Sequence, residues 1–448
     1  MNQRMTEGGF LPMKRFGFCK RALTLALCGA VGFGAFGLVG CARGSNSTAV
    51  LSYGMSVLAA ETDVAVSGYL GNEVGFTVED FARGLNLSSV DSITIRSLPA
   101  DTEGELLLGS SRVAVGQTIS AENVVALCFV PADETVAHAS FGFTANASTS
   151  PVVCNVYLLA KENYTPTLST APDLSLNVST YKELSTYGTL WAYDPDGDAV
   201  VFEVVKYPQN GAIRLTDRAA GTYVYTPEKD FTGKDSFSYV ARDIYGNYSA
   251  ARTVNLEVST AGTSVTYADM EDSPASVAAL TLTEAGIMSG RQVGNRYYFE
   301  PAKSVSRVEF LVMAMHAAGI TEVPSSTDTG FADDGEIPAS MKGYVAAAYE
   351  LGYISGTNVQ GETCFLPHEE ITRAQAAVIL DRIVGKNSVE VIPTFGDSSE
   401  IPVWATQAIY SLHSVGILLP TGGYIDATDP VTREDTAQML AAVMAYMK

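Results

Sequence analysis

The stretch Phe331-Ala-Asp333-Asp-Gly-Glu-Ile-Pro338, followed by Gly352-Tyr-Ile-Ser-Gly356 and by Ile371-Thr372-Arg373-Ala-Gln375, decides the architecture of this chain because it recurs. An aromatic residue with Asp two positions on opens three segments, at Tyr267/Asp269, Phe331/Asp333 and Phe395/Asp397. Pro follows at a constant offset, as Pro274, Pro338 and Pro402. A Gly-led apolar turn comes next: Gly286-Ile-Met-Ser-Gly290, Gly352-Tyr-Ile-Ser-Gly356, Gly416-Ile-Leu-Leu-Pro420. Each segment then places Arg directly after a hydroxyl residue, at Ser306-Arg307, Thr372-Arg373 and Thr432-Arg433. The Asp residues are spaced 64 positions apart. One structural unit is therefore used three times, and such units bury their apolar faces on one another. Phe310, Met313 and Ala317 form one apolar stripe at helical spacing, and Met341, Tyr344, Ala348 and Leu351 form another,.

The Arg residues carry the sharpest chemical signal. Ser306-x-x-Glu309 and Thr372-x-x-Gln375 read as capping boxes, and Thr432-x-x-Asp435 as a shorter version,. Arg next to a cap sits at the positive end of the helix dipole, which costs a few tenths of a kcal/mol. Three copies of an unfavourable choice need a reason. One is an ion pair with Asp269, Asp333 or Asp397; the other is an anion site made of guanidinium forks and helix N-termini.

Together these landmarks resemble the surface-layer homology (SLH) domain, three copies of which commonly form a wall-binding module. The resemblance covers residues 267–448, as repeats 267–322, 331–385 and 395–448. It implies non-covalent binding of secondary cell-wall polysaccharide, often pyruvylated, with peptidoglycan as the other candidate partner. A ketal carboxylate suits a bidentate Arg. The resemblance carries a glycan-binding role to Arg307, Arg373 and Arg433, and more weakly to Asp269, Asp333, Asp397, Gly290 and Gly356. The third repeat departs from the pattern, with Pro420 in place of Gly and Glu434 beside Arg433, so the first two repeats are the stronger binding candidates. Gln375 stands in the second repeat where an acidic residue is usual. Trp404, present only in the third repeat, reads either as a sugar-stacking residue or as core beside Ile401 and Ile409.

The rest of the chain bounds the setting. At 448 residues and 47% hydrophobic content it is long enough for several cored domains,. A net charge of −21 argues against nucleic acid and against adhesion to an anionic membrane,. Residues 1–42 read as an export signal: Lys14, Arg15, Lys20 and Arg21 precede an apolar run,. Leu38-Val39-Gly40-Cys41 resembles a lipobox, which makes Cys41 a lipidation candidate; cleavage near residue 60 and an uncleaved membrane anchor are the alternatives,. Cys128 and Cys154 read either as a disulfide or as two buried thiols.

Residues 166–258 read as a β-sandwich, from the alternation in Tyr223/Tyr225, Phe237/Tyr239/Ala241 and Val254/Leu256/Val258 and from regularly spaced turns,. The run Gly221-Thr-Tyr-Val-Tyr-Thr-Pro227 and Phe231-Thr-Gly-Lys-Asp-Ser-Phe237 resembles bacterial cadherin-like, immunoglobulin-like modules. Residues 61–160 read as a diverged copy: Gly104, Phe129-Val-Pro131 and Phe141/Phe143 parallel Gly211, Tyr225-Thr-Pro227 and Phe237/Tyr239. Residues 259–266 read as a linker. Asp194-Pro-Asp196-Gly-Asp198 is either an acidic hairpin turn or a set of oxygen ligands for Ca²⁺, with Asp217 and Asp243 as candidate additions,. No other cofactor is expected.

Four scattered histidines, no nucleophile elbow and no phosphate loop leave catalysis without support,. The expectation is a multidomain, non-catalytic envelope protein: β-sandwich modules of unidentified partner, then a mainly α three-repeat anchor. Its expected place is the cell wall or S-layer. The alternatives are a lipid-anchored tether from membrane to wall and a wall-associated hydrolase.

Overall fold

The computed structural model describes residues 63–168, 172–326, 328–385 and 395–448. The export-signal and Cys41 readings lie outside the described residues. No helix among the described residues is long and apolar enough to cross a membrane.

The first module contains β1 (Asp63–Tyr69), β2 (Val74–Gly75), α1 (Val78–Gly84), β3 (Ser92–Ser97), β4 (Gly104–Leu108) and β5 (Ser111–Arg112). It continues with β6 (Thr118–Ser120), α2 (Ala121–Val124), β7 (Leu127–Pro131), β8 (His138–Ala145) and β9 (Val152–Leu159). Two sheets, ordered β1-β9-β8-β3-β6 and β2-β7-β4-β5, enclose a core that includes Phe76, Phe81, Phe129, Phe141 and Phe143.

The second module contains α3 (Asp173–Leu176), β10 (Asn177–Tyr181), β11 (Thr186–Thr189), β12 (Val200–Lys206) and β13 (Gly211–Asp217). β14 (Thr222–Pro227), β15 (Gly233–Asp243) and β16 (Arg252–Ser259) complete it. Its sheets run β10-β16-β15-β12 and β11-β14-β13, around Tyr223, Tyr225, Phe237, Tyr239 and Val254.

The two sandwiches share a wiring. In each, the first strand pairs parallel with the last, β1 with β9 and β10 with β16. Their paralleled sequence motifs fall on equivalent strands in equivalent register: Gly104 faces Pro131 as Gly211 faces Pro227. The reason is steric. A Cβ on Gly104 would lie 2.8 Å from the Phe129 ring, and one on Gly211 would lie 2.4 Å from the Tyr225 ring. An aromatic two residues before that Pro thus demands a glycine diagonally across from it on the paired strand.

Of the two readings of Cys128 and Cys154, the disulfide is not present, and the alternation of the strands explains why. On β7, Leu127 and Phe129 point into the core, which turns Cys128 to the other face. Cys154 is fully buried on β9, in the opposite sheet.

The remainder is three helix–hairpin–helix repeats. The first is α4 (Ser276–Glu284), β17 (Arg291–Val293), β18 (Arg296–Tyr298) and α5 (Arg307–Ala317). The second is α6 (Lys342–Glu350), β19 (Thr357–Val359), β20 (Glu362–Cys364) and α7 (Arg373–Val384). In the third, α8 (Val403–Ser414) and α9 (Arg433–Tyr446) flank a turn closed by a Thr421–Tyr424 bridge. One continuous core draws on all three, so no repeat buries its apolar face alone,. Leu351 departs from the expected stripe: it sits at the C-cap of α6 and is 57% exposed.

The repeats close on one another through backbone. Val305 donates its N–H to the Val431 carbonyl at 3.0 Å, Val431 to Ile371 at 2.8 Å, and Ile371 back to Val305 at 3.1 Å. All three residues are buried. The second sandwich also touches the repeats: the Tyr181 hydroxyl donates to Glu284 at 2.8 Å, and the Trp191 ring lies 4.6 Å from the His413 ring.

Candidate functional site

The three Arg residues lie at the boundaries between repeats, each reaching into the next. Arg307 Nε–H donates to the Phe365 carbonyl at 3.0 Å, Arg373 Nε–H to Ile425 at 2.7 Å, and Arg433 Nε–H to Phe299 at 2.7 Å. Repeat one thus holds repeat two, two holds three, and three holds one.

Each receiving peptide is also gripped on its N–H side. Asp333 accepts from the Phe365 and Leu366 N–H groups at 2.8 and 2.7 Å. Asp269 does the same for Phe299 and Glu300, both at 2.8 Å, and Asp397 for Ile425 and Asp426, at 3.0 and 2.7 Å. The ion pair considered between Arg and Asp is therefore replaced by a relay: carboxylate, peptide, guanidinium. Glu300, Leu366 and Asp426 have φ of +58°, +61° and +52°. That left-handed conformation costs a non-glycine residue about 1–2 kcal/mol, and the Asp clamp offsets it. These three positions, and the carbonyls beside them, went unnoticed in the sequence. Their signal was present in the aligned triplets Phe299-Glu-Pro301, Phe365-Leu-Pro367 and Ile425-Asp-Ala427.

The helix N-termini do not offer the anion site that was considered. All three capping boxes close, the one from Thr432 and Asp435 included. The next two N–H groups go to the neighbouring repeat: Arg307 to Glu369 and Val308 to Pro367, Arg373 to Asp429 and Ala374 to Ala427, Arg433 to Lys303 and Glu434 to Pro301. The helix-end donors are consumed in assembling the ring.

The guanidinium forks are not equally occupied. Arg373 Nη1 pairs with Asp435 at 2.7 Å and its Nη2 donates to Leu419 at 3.1 Å. Arg433 Nη2 donates to Ser289 at 2.8 Å, and its Cζ stands 4.6 Å from the centre of the Phe299 ring. Arg307 makes only its Nε bond, with Cζ 5.4 Å from the Phe365 ring centre. Among the described residues neither Arg307 Nη has a hydrogen-bond partner. One sequence difference contributes: Gln375 occupies in repeat two the position that Asp435 occupies in repeat three. The Ser355 carbonyl, besides, takes no bond equivalent to those of Ser289 and Leu419. Burial holds the Arg307 guanidinium below its usual pKa, with Glu369 and Asp333 partly offsetting it.

The remaining candidates are placed as follows. A Cβ on Gly290 would lie 2.3 Å from the Tyr267 ring, and one on Gly356 2.7 Å from the Phe331 ring, so these glycines admit the opening aromatics. Trp404 is not core: it is 60% exposed on the first turn of α8, while Ile401 and Ile409 are buried. Glu434 accepts from the Ser273 hydroxyl at 2.8 Å. Asp194, Asp196 and Asp198 come together with ligating oxygens within 4.8 Å of one another. Asp217 does not join them; it accepts from Ala219 and Ala220 in its own turn.

Two β-sandwiches followed by a closed ring of three helical repeats define the class as a multidomain protein, all-β then mainly α. The S-layer homology domain model matches residues 330–377, within the second repeat, and the bacterial Ig domain model matches residues 163–257. The chain carries both domains, and the flanking repeats reproduce the relay and caps of the matched one. It is 30% identical over 152 residues to an endoglucanase of Bacillus sp. (strain KSM-635), covering 33% of this chain and 15% of that protein. It is 27% identical over 163 residues to the surface-layer 125 kDa protein of Lysinibacillus sphaericus, covering 35% of this chain and 13% of that protein. Fibronectin(III)-like modules of Clostridium thermocellum CbhA align at 16% identity over 46% of this chain and 94% of theirs, with a TM-score of 0.21, too low to carry structural equivalence.

Proposed function

We propose that this chain is a non-catalytic cell-surface protein, held at the wall by its three repeats and displaying its two sandwiches. The SLH match and the surface-layer relative support that reading. Within it, the boundary between repeats one and two is the principal seat for wall polymer. One observation carries the choice: Arg307 alone keeps both terminal nitrogens free of hydrogen bonds among the described residues. A planar fork on a largely desolvated guanidinium is matched by a carboxylate, and a pyruvylated secondary wall polysaccharide presents one. Arg373 and Arg433 serve closure of the ring first, and exposed Trp404 offers an apolar face for sugar,.

The test is binding of the protein to purified sacculi, before and after removal of the non-peptidoglycan polymer, with Arg307→Lys alongside. Lys keeps the charge but not the fork. Binding should vanish with the polymer and fall about tenfold or more in the variant, one lost charge-assisted pair being worth about 1.5–3 kcal/mol. A variant that melts like the parent and binds like the parent removes Arg307 from the site. Binding that survives stripping moves the ligand to peptidoglycan.

A further inference from the structure

The two sandwiches enclose a pocket of about 210 Å³ between them. Its walls come from α1 and β1 of the first, from Thr165 of the connecting segment and from the loop between β15 and β16 of the second. The approach of that loop needs a glycine: a Cβ on Gly246, which has φ of +98°, would strike the Ala65 carbonyl at 2.0 Å. The preceding Tyr245 meets Tyr157 edge-on at 5.2 Å. Besides Ala65 and two glycines, the lining is polar, consisting of Asp80, Arg83, Thr165, Asn247 and Tyr248. Drug-sized ligands take pockets of about 300–1,000 Å³ with mainly apolar walls, so this one suits a smaller and more polar guest.

The groups left unmet define that guest. Among the described residues the Arg83 guanidinium has no hydrogen-bond or carboxylate partner, and its Cζ stands 5.8 Å from the centre of the Tyr248 ring. The Tyr248 hydroxyl is buried with no hydrogen-bond partner, which is costly until an acceptor meets it,. Its pKa is raised by burial and then by Glu203, so it stays protonated and remains a donor. The guanidiniums of Arg242, Arg83 and Arg218 all stand near enough to oppose that rise. Glu203 is shared by Arg218 at 2.8 Å and Arg242 at 3.5 Å, which leaves Arg83 as the unmatched charge. Asp80 is half committed, since its Oδ2 accepts the Thr77 N–H at 2.7 Å in the cap of α1. Asn247 Nδ2 reaches only the Asn163 carbonyl, at 3.4 Å. An unpaired guanidinium is matched in charge and shape by a carboxylate, and mixed donors and acceptors by sugar hydroxyls. We propose that this pocket binds one acidic monosaccharide unit, its carboxylate on Arg83 and the Tyr248 hydroxyl, its own hydroxyls among Asp80, Thr165 and Asn247. A neutral sugar leaves the guanidinium unpaired, and a bare anion leaves the amide and carboxylate groups unused. The site uses no residue of the repeats and stands whether or not they hold the wall.

The experiment is saturation-transfer NMR on the whole protein, with glucuronate, glucose and acetate as probes. We expect saturable glucuronate binding at about 1 mM, the affinity of a sugar-sized ligand of ordinary efficiency. Glucose and acetate should each bind about tenfold more weakly or less. Arg83 is exposed, so Arg83→Gln should fold like the parent and weaken glucuronate binding about tenfold or more,. Tyr248→Phe, which keeps the ring, should weaken it about threefold and gives a second variant. No saturable glucuronate signal at about ten times the expected concentration overturns the site. Glucose bound as well as glucuronate overturns the charge recognition, and acetate bound as well overturns the sugar. Glucuronate binding that is lost in Arg307→Lys but kept in Arg83→Gln puts the carboxylate in the repeats and overturns the pocket.

Discussion

The carboxylates of Asp269, Asp333 and Asp397 hold two peptide N–H groups each, those of a left-handed residue and of the residue before it, and the carbonyl of that preceding residue is taken by an Arg from the neighbouring repeat. A single side chain therefore serves its own turn and the contact with its neighbour. Asp333→Ala should destabilise the repeats by about 2–4 kcal/mol, from two charge-assisted bonds and an unsupported left-handed Leu366. Asp333→Asn, which keeps one acceptor, should lose about half as much. Urea unfolding measures both, and an Asp333→Ala protein as stable as the parent would show the clamp to be dispensable.

Helix α8 and the second sandwich meet through His413. Its ring lies 4.6 Å from Trp191 and 5.1 Å from Phe395, and its Nδ1 is 3.1 Å from the Leu418 carbonyl. Burial lowers its pKa below 6.5, and the Leu418 bond opposes that only in part. A His held neutral in the fold binds fewer protons than the unfolded chain between the two pKa values. Its stabilisation is complete above pH about 6.5 and is lost as the pH falls through the folded value. The melting temperature should therefore decline as the pH drops below about 6.5. His413→Phe, which keeps an aromatic ring beside Trp191, should flatten that decline. Superimposable pH profiles for the two proteins would place the acid sensitivity elsewhere.

Across the whole molecule, closure of the ring outranks any one contact. Val305, Ile371 and Val431 complete a three-way backbone circuit, and each Arg serves a different boundary. Removing residues 395–448 takes away the Val431 partner of Val305, the Ile425 partner of Arg373 and the Arg433 partner of Phe299. The shortened protein should lose the cooperative thermal transition of the repeats while the first sandwich still unfolds as before. Differential scanning calorimetry separates the two, and a repeat transition that persists intact would mean that two units suffice.

The order of modules, the sandwich strands and the threefold repeat were legible in the sequence, because apolar period and recurrent landmarks are properties of local spacing. Gly104 and Gly211, which stand in paralleled motifs, lie diagonally across from the same aromatic position for the same steric reason. The Arg residues were legible as candidates, since a cation beside a helix cap is locally unfavourable wherever it folds. What each Arg does was decided by tertiary structure. Phe365, Ile425 and Phe299 supply their carbonyls from 58, 52 and 134 positions away. No local pattern reports which fork finds a second partner. Only the closed ring sets Asp435 against Arg373 and neutral Gln375 in the equivalent place, and only it exposes Trp404 while burying Ile401 and Ile409. Composition and spacing settle which elements form; the charge balance at a boundary depends on residues that meet only when three repeats close on one another.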